Sequence, residues 1–307
     1  MTVQSSRRPL PTQPRSRPRP ASRPAAANHT RSRVRGTLFH TASGLLAVAF
    51  LFPLLWALLN SLKDKDEANQ QPPTWFPHHL SLQNYRSLTG FDQGIGTYLT
   101  NSVILSVLTV IGTVIVCVLG GYGFARFTFH GKTLLFGATL AILMVPYATI
   151  LLPLYIVLGK LGLQNSLIGL ALVLVMFQLP FGIFLMRNSF EAIPRELEEA
   201  SMVDGCSSFG ALWHVSARIV MPGVVTVGLF AFLTSWNEYL APLIFLNDGS
   251  KYTLPVMLVN IRYASYNIID FGALQAGIVV AMVPCLVVYL LLQRFYVNGI
   301  VAGALRG

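Results

Sequence analysis

Six stretches of the chain are apolar for about 20 residues or more, the length a helix needs to cross the hydrocarbon of a bilayer. They run over 37–61, 97–125, 133–159, 163–186, 222–246 and 271–293. Inside hydrocarbon every backbone N–H and C=O must find a partner within the chain, so such stretches fold as helices. Arg126, Arg187 and Arg294 close the second, fourth and sixth. Pro146 and Pro153 predict a kink in the third. Only the fifth holds an internal charge, Glu238. The expected fold class is an all-α integral membrane protein with six transmembrane helices. Composition excludes a soluble enzyme with a large core. Only 11% of residues are charged, against about 25% in soluble domains, and mean hydropathy is +0.59.

A net charge of +10 would point a soluble protein toward nucleic acid. Here nine of the 22 basic residues are arginines within residues 1–36, which hold no acid. No aromatic is interleaved with them for base stacking, which weighs against an RNA-binding arm and leaves no nucleic-acid partner expected. Rich in Pro, Arg, Ser and Ala, residues 1–36 read as a disordered basic tail. Lys and Arg collect on the cytoplasmic side of membrane proteins. With the N-terminus inside, inner segments carry sixteen basic residues and outer loops six: Lys63, Lys65, Arg86, Lys160, Lys251 and Arg262. Both termini are then cytoplasmic. Arg7-Arg8 precedes Pro-Leu-Pro-Thr rather than an apolar run, so no signal peptide is expected. The transmembrane domain is expected over 37–307.

The connection between the fourth and fifth spans, about 190–221, falls on the same inner side. It carries five of the twelve acids: Glu191, Glu196, Glu198, Glu199 and Asp204. Pro194 suits a helix start, where its missing N–H costs nothing. Leu197, Ala200, Ser201 and Asp204 then share one helical face. Glu198 and Glu199 flank that face near the positive end of the helix dipole. Gly205 suits the left-handed residue that ends a helix. Ser207 or Ser208 can cap a second helix, in which Phe209, Leu212, Trp213 and Ser216 share a face. A hairpin of this kind lets a partner approach its small residues closely while its carboxylates pair with that partner's Arg or Lys. A hairpin that merely joins two spans would show the same pattern.

Other chemistry is sparse. Cys117, Cys206 and Cys285 are isolated, with no metal or disulfide spacing. The six histidines are scattered, and no catalytic constellation or metal site is expected. His130-Gly131-Lys132-Thr133 is similar to the end of a phosphate-binding loop, but the first glycine of that motif would stand at Arg126. The outer stretches 63–96 and 247–270 hold Trp75, Phe76, Tyr252, Tyr263 and Tyr266. They fit anchoring at the membrane surface, or the docking of an external protein.

Glu198-Glu199-Ala200-Ser201, followed by Asp204-Gly205, resembles the EAA loop of ABC importer permeases, the channel subunits that dock on separate ATPases. The likeness extends over about 37–307 and is nearest to the smaller, maltose-type permease of sugar importers. It is carried by Ser61-Leu62-Lys63, Asn84-Tyr85, Tyr98 with Asn101-Ser102, and Gly121 to Arg126. Pro180 to Arg187, Trp236-Asn237-Glu238-Tyr239 and Gly303 to Gly307 complete it. The family's loop continues with Ile-x-Leu-Pro, where this chain has Val215, Ala217 and Arg218. The geometry of the exit into the fifth span is open on that account.

The resemblance implies the type I importer fold and an ATPase-coupling role for Glu198, Glu199, Ala200, Ser201, Asp204 and Gly205. It implies a permease that is not itself an enzyme, in a bacterial cytoplasmic membrane. The partners it implies are a second permease, an ATP-binding cassette ATPase dimer, an extracytoplasmic solute-binding protein and the lipid around the spans. ATP and Mg would belong to the ATPases, so no cofactor is expected in this chain. The solute would be a sugar, a polyol or a sugar phosphate. Asn237, Glu238 and Tyr239 have the side chains to hydrogen-bond its hydroxyls. Glu238 would equally serve a structural pairing between helices. A proton-coupled secondary transporter using Glu238 is the rival reading, and it predicts uptake that survives without ATP.

Overall fold

A computed structural model of the chain describes residues 27–263 and 270–304. Tyr266, most of the basic tail and the last three residues of the Gly303–Gly307 stretch lie outside them. Among the described residues there is no strand. The helices that build the core and the hairpin are, in order, α1 (Ala27–Ser61), α2 (Ile95–Arg126), α3 (Lys132–Ala141) and α4 (Tyr147–Lys160). Then come α5 (Leu167–Glu191), α6 (Arg195–Val203), α7 (Ser208–Ala211) and α8 (Met221–Trp236). Last are α9 (Leu240–Phe245), α10 (Leu254–Tyr263) and α11 (Phe271–Ala304).

Four stretches are long and apolar enough to cross a membrane unbroken: Phe39–Ser61, Ile95–Arg126, Leu167–Glu191 and Phe271–Gln293. The helix that carries the first begins earlier than expected, since α1 reaches back to Ala27 through Arg-containing sequence. Residues 27–36 are thus helical, where a disordered tail was expected to run to 36. Arg and Ala are good helix formers, and an established helix extends at little cost. The chain divides into two compact units after Pro53, a proline inside α1. In the first unit Phe39, Leu45, Leu46 and Phe50 are exposed, a surface that suits lipid or another apolar chain.

The other two expected spans are broken rather than continuous. Lys132–Met144 and Tyr147–Lys160 meet at 108°, so the expected kinked helix over 133–159 is two helices. The break lies at Val145-Pro146, where both residues are extended. Proline pushes the residue before it out of the helical region, which accounts for the site. Pro153 lies inside α4 and does not end it.

The fifth span ends its helix at Trp236, and Asn237, Glu238 and Tyr239 form a break before α9. Glu238 therefore stands in a helix break and not inside a continuous helix as expected. Pro242 explains this. In a continuous helix its ring would press on the carbonyl of Glu238, four residues earlier, and it has no N–H to bond there.

The core pair is α2 against α5, and small residues let their backbones meet. A Cβ on Gly121 would lie 2.4 Å from Met186 Cβ and 2.9 Å from the Arg187 backbone nitrogen. One on Gly182 would lie 2.4 Å from Cys117 Sγ. The scattered residues of the 61–102 region converge. Asn84 Nδ2 donates to the carbonyls of Ser61 (3.1 Å) and Lys63 (2.7 Å), and the Tyr85 and Ser61 hydroxyls bond at 2.8 Å. Asn101 Nδ2 donates to the carbonyls of Ser250 and Tyr252, and Ser102 Oγ accepts from the Leu254 amide. Lys63 is fully buried, and its ammonium donates to Asn60 Oδ1 (2.7 Å) and to the Thr74 carbonyl (2.5 Å).

Gly121→Ala is expected to lower the stability of the solubilised protein by about 1–3 kcal/mol through overpacking. Thermal unfolding would register the drop. Gly123→Ala, whose Cβ meets nothing within 4 Å, should leave the midpoint unchanged.

Candidate functional site

The acid-rich connection folds as the expected hairpin. Pro194 precedes α6 in an extended conformation, and Gly205 ends the turn with φ +94°. The amides of Asp204, Gly205 and Cys206 return to the carbonyls of Ala200, Met202 and Ser201. Of the two candidate caps, Ser207 takes the role, and its Oγ accepts from the Gly210 amide at 3.1 Å. The second arm then widens into a π-helix over Leu212–Ser216. Widening splits the expected common face. Leu212 and Ser216 are buried, whereas Phe209 and Trp213 are each 66% exposed.

The two glutamates of the hairpin part company. Glu199 is exposed beside Ala200, with Glu196 and Asp204. Glu198 turns inward, contrary to its expected place on the flank of the contact face, and its side chain is 7% exposed. Arg126, at the end of α2 and 8% exposed, meets it with Nε and Nη2 both 2.9 Å from Oε1. The Ser216 hydroxyl donates to the same oxygen, and the Tyr122 hydroxyl donates to Oε2 at 3.3 Å. Arg126 Nη2 also donates to the Ile193 carbonyl at 3.1 Å. One buried carboxylate thus ties the end of α2, both arms of the hairpin and the segment leaving α5. An isolated charge there would be costly, but this one is paired and accepts three hydrogen bonds.

Around this hub lies an apolar cluster of Tyr122, Phe124, Met186, Phe190, Ile193, Leu212 and Val220. Tyr122 packs edge-on against Phe190, with centroids 5.3 Å apart. A rigid body displacing the hairpin would therefore displace α2, α5 and α8 with it. The outward surface combines Leu197, Met202 and Val203 (88% exposed) with the carboxylates of Glu196, Glu199 and Asp204. Ser201 is half-buried, and its hydroxyl donates to the Glu198 carbonyl at 2.7 Å. Arg218 is exposed, and the exit into α8 still turns by 79° at Val220, with Pro222 in the first turn of α8.

The second group, Asn237, Glu238 and Tyr239, lies at the opposite end of α8. Asn237 Nδ2 donates back to the Leu233 carbonyl at 2.7 Å, and Glu238 Oε1 accepts the Ala241 amide at 3.0 Å. Asn237 and Glu238 thus hold the break open from both sides. Arg126 and Tyr122 went unassigned in the sequence, because nothing local pairs residues 72 or more positions apart; Ser216, 18 positions from Glu198, was placed on a face with Trp213 instead. Among the described residues no cluster of His, Cys, Asp and Glu could hold a metal.

Residues 117–300 match the family model described as binding-protein-dependent transport system inner membrane component. The sulfoquinovosyl glycerol transport system permease protein SmoH of Agrobacterium fabrum is 35% identical, over 87% of this chain and 92% of that protein. The diacetylchitobiose uptake system permease protein NgcG of Streptomyces coelicolor is 35% identical, over 87% and 88%. The arabinooligosaccharides transport system permease protein AraQ of Bacillus subtilis is 30% identical, over 90% and 96%. The fold is similar to a chain of a bacterial ABC transporter involved in the import of the acidic polysaccharide alginate. The TM-score is 0.74 and the identity 21%, covering 90% of this chain and all of that one.

Glu198→Ala would leave Arg126 buried without its partner, at a cost of about 3–5 kcal/mol. Limited proteolysis and thermal unfolding of the membrane-inserted protein should both register it. Glu199→Ala, on the exposed face, should leave both unchanged.

Proposed function

The chain belongs to the family of binding-protein-dependent transport system inner membrane components, and on that premise we propose that it carries a sugar or a related polyol or sugar phosphate across the membrane. It is a multi-pass permease subunit of an ABC importer, with the type I fold, and not an enzyme. The named solutes of its relatives, a sulfoquinovosyl glycerol, a diacetylchitobiose and arabinooligosaccharides, support the carbohydrate class. In this reading a second, similar permease completes the path, and an external solute-binding protein delivers the solute. Both termini and the hairpin lie in the cytoplasm, where the basic tail sets topology.

The observation that carries the coupling role is the split of Glu198 from Glu199. Glu199, Ala200, Ser201, Asp204 and Gly205 form the face offered to an ATPase dimer, which holds the ATP and Mg. Glu198 does not touch that dimer; it transmits the movement to α2 and α8 through Arg126 and Ser216. ATP shifts the permease between inward-open and outward-open states only as far as it binds the two states differently. Proton coupling through Glu238 has no support in this family.

The test is reconstitution in liposomes with the second permease, the ATPases and the binding protein. Uptake should require ATP and survive an uncoupler. Gly205→Pro, which cannot adopt the positive φ of the turn, should leave the subunit inserted but remove the solute-stimulated ATPase activity. Uptake that persists without ATP and collapses with an uncoupler would overturn the reading.

A further inference from the structure

A cavity of about 450 Å³ lies between the end of α1, the proline-rich connector after it and the first turns of α11. That volume falls in the range of small-molecule sites, about 300–1,000 Å³. Trp56 and Phe271 give it aromatic wall, Asn60, Asn69, Gln71 and Gln275 give it carboxamides, and no charged side chain lines it. Trp56 and Asn60 are four apart on α1, and Phe271 and Gln275 are four apart on α11, so each pair shares a helix face. Asn69 joins the two walls. Its Nδ2 donates to the Lys65 carbonyl at 2.7 Å, and its Oδ1 accepts from the Phe271 amide at 2.9 Å. Lys65 and Asp270 bridge the same gap with an ion pair at 3.4 Å. The buried Lys63 ammonium lies 5.4 Å from the Trp56 ring centroid and donates to Asn60 Oδ1. Trp75 packs edge-on against Trp56, with centroids 5.3 Å apart. The walls are therefore fixed by the protein's own contacts.

A carboxamide has two N–H donors and two acceptor lone pairs. Asn60 spends one donor on the Trp56 carbonyl and one lone pair on Lys63, and Asn69 likewise spends one of each. The side-chain amides of Gln71 and Gln275 bond nothing among the described residues. The cavity thus offers donors and acceptors in balance beside aromatic surface. A phosphate or carboxylate would call for Arg or Lys in the wall, and an ammonium for a carboxylate. A sugar ring matches what is there: each hydroxyl both donates and accepts, and the C–H face is apolar. We propose that this cavity binds one neutral sugar unit of the solute, on the outer side in the topology proposed above, as a holding site ahead of the path between the permeases. This rests on the carbohydrate-importer reading and deepens it with residues other than Asn237, Glu238 and Tyr239.

The test uses the reconstituted complex of both permeases and the ATPases, with radiolabelled glucose-, N-acetylglucosamine- and arabinose-based di- and trisaccharides as probes. Uptake with the binding protein present first identifies the sugar that is imported. Equilibrium binding of that sugar to the complex without the binding protein then reads the site. Gln71→Leu and Gln275→Leu should each weaken it about fivefold, the scale of one neutral hydrogen bond. Gln83→Leu removes an exposed amide outside the cavity and should bind as the wild type does. Gln71 is exposed on the connector, so its variant tests the site even if Gln275→Leu destabilises α11. An imported sugar that the wild type does not bind without the binding protein, or that both variants bind as tightly, overturns the site while the importer reading stands. A loss confined to docking of the loaded binding protein also overturns it, since the cavity would then hold protein and not sugar. If none of the sugars is imported, the carbohydrate reading falls and the site with it.

Discussion

A single buried ion pair, Glu198 with Arg126, joins the part of this protein that faces water to the part that faces lipid. The carboxylate sits on the hairpin and the guanidinium at the end of α2, and each is nearly sealed from solvent. Such a pair adds little net stability compared with hydrocarbon of the same shape, because both charges must first shed their water. What it adds is directional connection. Apolar contacts slide, whereas a carboxylate bonded to Arg126, Ser216 and Tyr122 has one geometry. A displacement of the hairpin would therefore displace the helix ends.

The second constraint is the backbone itself. Four spans satisfy it as unbroken helices, and two pay for a break. Each break has a proline behind it: Pro146 by restricting Val145, and Pro242 by obstructing a helix through Glu238. Asn237 and Glu238 then bond local backbone groups and stabilise the opening. The residues that interrupt the helices thus supply the polar side chains found at the interruption.

Legibility differed from element to element. Apolar length was enough to locate all six spans and to end four of them within a few residues. In the hairpin the proline entry, the glycine turn and the serine cap were readable because each acts on its own backbone. The third span was read as kinked, since a proline announces a disturbance but not its angle. The face containing Phe209, Leu212, Trp213 and Ser216 was misjudged because a π-helix changes the period on which such faces are drawn. Glu198 was placed outward on its spacing alone, and only its partners turned it inward.

By itself the sequence determined what depends on neighbours along the chain: which stretches enter hydrocarbon, where turns and caps fall, and a signature specific enough to imply a family. The tertiary structure alone decided which of two adjacent glutamates is an anchor and which is offered to solvent. It alone set Arg126 and Tyr122 around the first of them. Both outcomes rest on contacts between residues scores of positions apart. Their free energy comes from burial and pairing in three dimensions, and no periodicity in one dimension encodes it.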